Sequence, residues 1–152
     1  FDDMFSSMIA GDYDKNQNGK IEPSESDSIQ KEAFSYLVNH GYFCFIKING
    51  KPFKVKFVRD FSASLNQGKL CYEFFIPCHV TAIKTPKKIR IAVYDPTYYT
   101  ALFFAEKAPV KVENAAVRFE TKVQIAENKE ESYYYGMIHP WEVVLTFRLK
   151  DA

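Results

Sequence analysis

Apolar side chains in residues 1–40 recur every three or four positions, which is the spacing of one helix face. They are Met4, Phe5, Met8 and Ile9 in a first segment, and Ile29, Ala33, Phe34, Leu37 and Val38 in a second. Pro23 suits the first turn of the second helix, and Gly41 suits its end, because glycine readily adopts the left-handed conformation that follows helices. The pattern predicts two helices joined by a polar loop.

Beyond Gly41 the apolar positions alternate with polar ones, which is the period of half-buried β-strands. Asn49-Gly50 is a strong hairpin signal, and Asn66-Gln67-Gly68 marks a second turn. The predicted strands are 42–48, 53–61, 70–76, 88–94, 117–125 and 141–149. The side chains predicted to face inward are Phe45, Phe57, Phe74, Val93, Phe119 and Phe147. Closely spaced strands without intervening helices favour an antiparallel β-sandwich over parallel βαβ units.

The polar segment between the two predicted helices, 14–25, matches the twelve-residue calcium loop of an EF-hand. Ca²⁺ prefers six to eight oxygen ligands, which such a loop supplies mainly from alternate positions. Asp14, Asn16 and Asn18 occupy the first, third and fifth positions, and Gly19 occupies the sixth, where the chain turns sharply. The first half of the loop therefore has both the oxygen ligands and the turn residue that calcium binding needs.

The second half of the loop completes the ligand set. Lys20 offers its backbone carbonyl at the seventh position, and Glu22 can act directly or through water at the ninth. Glu25 closes the site at the twelfth position with both carboxylate oxygens. The predicted metal ligands are Asp14, Asn16, Asn18, Lys20, Glu22 and Glu25. The alternative interpretation is a polar linker without a metal.

The charge of the loop indicates modest calcium affinity, in the micromolar-to-millimolar range, because two of its ligand positions hold neutral asparagine. Sensor EF-hands usually occur in pairs, and the sequence contains one such loop. We therefore expect calcium to stabilise the fold and not to switch it. The predicted class is a mainly β, α+β fold: an antiparallel β-sandwich with an N-terminal EF-hand-like helix–loop–helix.

Two further groups of residues suggest other functions. Cys78 and His79, with His40 or His139, are candidates for a transition-metal site (Ni, Co, Zn or Cu), although no metal-binding spacing connects them. The aromatic segments, 95–99, 133–136 and 139–142, suggest a stacking surface or a hydrolase-type site near Asp95 or His139. No nucleophile signature is present, so we expect a protein that is not an enzyme and predict no catalytic residues.

Composition narrows the class of protein. The 152 residues carry 20 basic and 19 acidic side chains, and this balance does not favour nucleic acid as a partner. No apolar run is long enough to span a membrane. Cys44, Cys71 and Cys78 allow one disulfide or three thiols. We expect a single domain, 1–152, with the calcium helix–loop–helix at 1–40 and the sandwich at 41–152.

The order of these features resembles the domain-of-unknown-function 1007 family, bacterial periplasmic proteins described as uncharacterised ABC-type transport components. The segments that carry the resemblance are 1–5, the loop 12–25, Asn39–Phe43 (NHGYF), Val93–Tyr99 (VYDPTYY), and the closing YYYG and PWE segments. The resemblance implies a periplasmic location, Ca²⁺ in the loop, and a role as an accessory or binding module beside a membrane transporter. Because the sequence begins at Phe1 within a predicted helix, we expect a fragment that lacks its native N-terminus.

Overall fold

The computed structural model describes residues 1–81, 83–113 and 118–150. Its helical segments are α1 (Asp3–Tyr13), α2 (Pro23–Glu32) and a 3₁₀ segment (Phe34–Phe43). Its strands are β1 (Cys44–Ile48), β2 (Lys51–Phe53), β3 (Arg59–Asn66), β4 (Lys69–Phe75), β5 (Lys87–Val93), β6 (Phe119–Glu127) and β7 (Trp141–Leu149). Every pairing between these strands is antiparallel. The predicted mainly β, α+β class with N-terminal helices is confirmed.

The chain divides into two structural units. The first consists of Phe1–Phe43, Val55–Pro77 and Tyr98–Leu102, and it contains the helices and the β3–β4 hairpin. The second consists of Cys44–Lys54, Cys78–Thr97 and the described part of Phe103–Ala152, and it contains a five-stranded sheet in the order β2-β1-β5-β7-β6. The expectation of one domain, with two sheets packed face to face, stays a prediction.

The first unit is held together by helices α1 and α2 packed on the β3–β4 hairpin. One cluster of buried apolar residues in this unit consists of Ile9, Ile29, Ala63 and Leu70. Ile9 comes from α1 and Ile29 from α2, so each helix contributes one side chain to this core. Met4 and Met8, which the helical spacing assigns to the same face as Phe5 and Ile9, are instead 67% and 42% exposed. The packed face of α1 therefore runs through Phe5 and Ile9, and the methionines lie outside it.

Two serine hydroxyls join these helices to the hairpin. Ser6 Oγ accepts a hydrogen bond from the Leu70 N–H at 2.9 Å, and Ser26 Oγ accepts one from the Ala63 N–H at 2.9 Å. Ser6 is fully buried, and its own hydroxyl donates to the Asp2 carbonyl at 2.6 Å. Each serine thus satisfies a buried strand N–H group that would otherwise lack a partner.

We expect Ser6→Ala to destabilise the protein by about 1–3 kcal/mol, because the buried Leu70 N–H loses its acceptor. Ser7→Ala is the matched control, since Ser7 is the exposed neighbour on the same helix. Alanine favours helix, so the Ser7 variant is expected to be neutral or slightly stabilised. Urea denaturation measures both changes. Equal effects at the two positions would contradict the assigned role of Ser6.

Asp2 connects the start of α1 to the 98–102 segment of the same unit. Its carboxylate caps α1 by accepting from the Phe5 N–H at 2.8 Å. Its second oxygen accepts from the Ala101 N–H at 2.8 Å and from the Thr100 hydroxyl at 3.0 Å. These donors, led by the Phe5 N–H, lower the pKa of Asp2 below its usual value. Asp2 is therefore a charged anchor for two segments that are distant in the chain.

Several predicted element boundaries were wrong. The predicted strand 53–61 is interrupted, because β2 ends at Phe53 and β3 begins at Arg59 in the other unit. The α-helical part of the second helix ends at Glu32, and the chain continues as 3₁₀ turns within Phe34–Phe43. These turns are interrupted at residues 40–42, where Gly41 has the left-handed φ of 60° expected at the end of the second helix. The predicted start of the sixth strand, Val117, lies outside the described residues.

The predicted inward faces were also partly wrong. In β1 the buried residue is Ile46, at 7% exposure, whereas Phe45 is on the opposite face at 36%. Val93 and Phe57 are exposed as well, at 38% and 56%. Because successive strand residues point to opposite faces, a one-residue difference in phase exchanges the two faces. Phe74, Phe119 and Phe147 are half-buried.

Candidate metal centre

The two helices fix the positions of both ends of the 14–25 loop. Asp14 is the C-cap of α1, and its N–H donates to the Ala10 carbonyl at 2.9 Å. Glu22 is the N-cap of α2, and Pro23 occupies the first helical turn, where proline needs no N–H partner. Gly19 adopts a φ of 75°, the left-handed conformation that the sharp turn requires. The helix–loop–helix arrangement expected from the sequence is therefore present.

Oxygens at the first, third and fifth loop positions turn toward the interior of the loop. Asp14 Oδ1 and Asn16 Oδ1 both accept from the Asn18 N–H, at 3.1 and 3.0 Å, so these two oxygens converge on one point. Asp14 Oδ2 accepts from the Gly19 N–H at 2.8 Å, and Asn18 Oδ1 accepts from the Lys20 N–H at 2.9 Å. These bonds fix the orientation of the three side chains within the loop.

Glu25, at the twelfth position, spans the loop. One carboxylate oxygen accepts from the Lys15 N–H at 2.8 Å, and the other accepts from the Glu22 N–H at 2.9 Å. The second bond belongs to a capping box at the start of α2. Glu25 is 8% exposed, so its charge is held in a protected position. Each carboxylate oxygen can accept more than one bond, which leaves electron pairs for a cation.

Glu22, at the ninth position, contacts both asparagines. The Asn18 amide donates to Glu22 Oε1 at 2.5 Å, and the Asn16 amide donates to Oε2 at 3.3 Å. The Asn18 amide is the largest influence on this carboxyl, and it lowers the pKa of Glu22 below its usual value. Glu22 is thus ionised at neutral pH and adds negative charge to the loop.

The loop does not gather three carboxylates around one point. Within residues 1–81, 83–113 and 118–150, no group of three His, Cys, Asp or Glu side chains is arranged to hold a metal ion. A calcium loop draws on amide and carbonyl oxygens as well as carboxylates, so Asp14, Asn16, Asn18 and the Lys20 carbonyl count toward its donor set. The donor types and the converging oxygens fit Ca²⁺. Each carboxylate oxygen of Glu22 and Glu25 carries one hydrogen-bond donor, so direct ligation by either residue would use the electron pairs that these bonds leave.

The residues of the transition-metal hypothesis are placed in ways that do not favour a soft metal. His40, His79 and His139 are exposed, and the His139 Nδ1 lies 2.6 Å from the Glu131 carbonyl. Burial raises the pKa of the Cys44 thiol to about 11, and burial also raises the pKa of Cys78. Metal ligation and nucleophilic attack both need thiolate, which a raised pKa disfavours. Cys44, Cys71 and Cys78 form no disulfide.

The second unit contains an aromatic stack that the sequence interpretation missed. Phe45 and Tyr94 stack at 4.2 Å and 13°, and Tyr94 and Tyr133 stack at 4.2 Å and 25°. The tyrosine-rich segments are visible in the sequence, but the part played by Phe45 is not, because alternation assigns it to the interior. Asp95, the acid of the hydrolase hypothesis, accepts from the Thr97 N–H and hydroxyl at 2.8 and 2.7 Å and so closes a local turn.

An ion pair with one buried partner lies in the same unit. Glu142, at 3% exposure, accepts from Arg90 at 2.9 Å and from the Asn128 amide at 2.9 Å. Lys47 pairs with Glu131 in the same unit. Nothing in the spacing of these residues along the chain signals the contacts, because they depend on the pairing of β1 with β5 and of β5 with β7.

None of the described helices has the length and apolar character needed to cross a membrane. This agrees with the hydropathy of the sequence.

Comparison with known proteins identifies relatives but no activity. The family model described as "Protein of unknown function (DUF1007)" matches residues 1–137. The "Uncharacterized 15.5 kDa protein in trpE 3'region" of Spirochaeta aurantia is 30% identical over 139 residues, which cover 90% of this chain and 96% of that protein. No solved structure matches significantly. Neither description names an enzymatic activity. Because the family model matches most of the length of this chain, the chain belongs to the DUF1007 family.

Proposed function

We propose that this protein binds one Ca²⁺ in the 14–25 loop and that the ion stabilises the helix–loop–helix. The observation that carries the proposal is the convergence of Asp14 Oδ1 and Asn16 Oδ1 on the Asn18 N–H, between two helices that flank the loop on both sides. The proposed ligands are Asp14, Asn16, Asn18, the Lys20 carbonyl, Glu22 and Glu25. Ca²⁺ would use the electron pairs of these oxygens that their N–H donors leave available.

The connection of the loop to a core supports a structural role. Ile21 follows the turn and packs against the buried cluster of the first unit. Ser26 follows Glu25 and is bonded to β3. A cation that holds Glu25 in place therefore also holds the residues that attach α2 to the hairpin. This arrangement supports stabilisation more than the opening of a groove, which is the response of sensor EF-hands.

Isothermal titration calorimetry tests binding directly. We expect one Ca²⁺ per chain with a dissociation constant in the micromolar-to-millimolar range. Glu25→Gln is expected to weaken binding at least tenfold, because one of two charged oxygens becomes a neutral amide. Asp27→Asn is the control, since it removes an exposed carboxylate from the same helix outside the loop. Absence of binding, or equal weakening by the two variants, would overturn the proposal.

The proposed setting is the periplasm, where the protein would serve as a non-enzymatic accessory or binding module of a membrane transporter. The resemblance to periplasmic transport components supports this setting, and so does the modest charge of the loop, because extracellular calcium modules work at high calcium concentration. Fractionation of cells that express the full-length protein tests the location. Recovery with the cytoplasmic fraction would contradict it.

A further inference from the structure

The two edges of the five-stranded sheet differ. One edge is β2, which is three residues long and contains Pro52 between Lys51 and Phe53. A short strand, a proline and a lysine all discourage the addition of another strand. The other edge is β6, which runs for nine residues without proline or glycine. Its pairing with β7 shows no bulge from Phe119 to Glu127. Both edge strands contain a lysine, but of the two only β2 is also short and interrupted by proline.

The hydrogen bonds at the ends of β6 establish which of its backbone groups face outward. The Lys150 N–H donates to the Arg118 carbonyl at 3.0 Å, and the Asn128 N–H donates to the Pro140 carbonyl at 2.8 Å. The residues on the β6 side of these two bonds, Arg118 and Asn128, both have even numbers. Along an antiparallel strand, residues that form hydrogen bonds with the neighbouring strand alternate with residues that do not. The odd-numbered residues from Phe119 to Glu127 therefore direct their N–H and C=O groups away from β7.

Within the described part of the chain, β6 pairs with β7 alone. We infer that β6 pairs antiparallel with β6 of a second copy of this chain, with Thr121 opposite Thr121 on the two-fold axis. Thr121 has outward-facing backbone groups, so the two copies exchange two hydrogen bonds at the axis. An isologous contact of this kind is the commonest way in which identical chains associate.

Charge complementarity selects this register. With Thr121 on the axis, Glu120 lies opposite Lys122 of the second copy, and the contact occurs twice. Phe119 lies opposite Val123 in the same way. Opposite charges in direct cross-strand pairs stabilise a sheet. Placing Val123 on the axis instead puts Lys122 opposite Gln124, and placing Lys122 there puts two lysines together. Glu120 already pairs with Arg148 of β7 at 2.6 Å, so Lys122 of the second copy would be a second cation beside the same carboxylate.

Sedimentation velocity of the purified protein over a range of concentrations measures the association. We expect a concentration-dependent dimer. Thr121→Pro is expected to raise the dimer dissociation constant at least tenfold, because both hydrogen bonds at the axis are lost while the β6–β7 bonds remain. Thr121→Ala keeps the N–H and is expected to remain dimeric. Circular dichroism verifies that each variant is folded. A wild-type chain that stays monomeric up to ~1 mM would overturn the inference.

A charge exchange tests the partner and the register together. In Glu120→Lys, a lysine faces a lysine of the second copy at each of the two contacts, and in Lys122→Glu a glutamate faces a glutamate. Each variant alone is therefore expected to be monomeric. An equimolar mixture of the two variants restores both ion pairs. In a mixed dimer, the Glu120→Lys chain has a lysine at both positions and the Lys122→Glu chain has a glutamate at both, so each lysine faces a glutamate. We expect dimers to reappear in the mixture. A mixture that stays monomeric, or single variants that dimerise as well as the wild type, would overturn the inference.

Discussion

Calcium at about 100 times its dissociation constant is expected to raise the melting temperature by roughly 5–10 °C. Binding to the folded state alone stabilises it by RT ln(1 + [L]/Kd), which is about 2.7 kcal/mol at that ratio. For a chain of this length each kcal/mol shifts the melting temperature by about 2–4 °C. Thermal denaturation followed by circular dichroism, with calcium and with a chelator, measures the shift. Magnesium at the same concentration is expected to give a smaller shift, because it demands octahedral geometry.

Glu25→Gln is expected to remove most of the calcium-dependent shift. Glutamine keeps one side-chain oxygen, so one of the two N–H groups that Glu25 binds, those of Lys15 and Glu22, loses its acceptor, and the melting temperature in chelator is expected to fall as well. The calcium-dependent shift is therefore measured within each variant, with calcium against chelator. The charged twelfth ligand is lost, and the ion therefore binds weakly. A dye that reports exposed apolar surface separates the two possible roles of calcium. A strong dye signal that needs calcium and Glu25 would show a switch, contrary to the proposed structural role.

The second large effect is expected for Phe34→Ala, which should destabilise the protein by about 3–5 kcal/mol. Phe34 is 2% exposed and lies at the centre of an aromatic cluster. Its ring is 4.1 Å from Phe61, 5.1 Å from Tyr42, 5.2 Å from Phe74 and 5.5 Å from Tyr72. Removal of the ring leaves a cavity among four large side chains that cannot all close around it. The melting temperature is expected to fall by about 6–20 °C.

Tyr36→Ala is the matched control for Phe34→Ala. It removes an aromatic ring from the same 3₁₀ segment, but Tyr36 is 68% exposed. Surface substitutions of this kind usually change stability by no more than about 0.5 kcal/mol. A comparable loss of stability in both variants would mean that the cluster around Phe34 is not the principal packing centre of this segment.

Features that depend on neighbouring residues were predictable from the sequence. The 14–25 loop is recognisable because its oxygen-bearing residues, its glycine and its flanking helix signals all lie within a short stretch of chain. The helices on both sides and the turn at Gly19 are confirmed. The hairpin turns at Asn49-Gly50 and Gln67-Gly68 are confirmed, and all four residues have positive φ values, which suit Asn49 and the two glycines. Calcium itself stays a prediction.

Features that depend on contacts between distant segments were decided by the tertiary structure. In β1 both Phe45 and Ile46 are apolar, so alternation alone could not show that Ile46 is buried and that Phe45 stacks on Tyr94. The roles of Ser6 and Ser26 were likewise invisible, because a serine in a helix gives no sign of which strand N–H will approach it. Local spacing determined the loop and the turns through backbone conformation, whereas side-chain burial was determined only when distant strands and helices packed together.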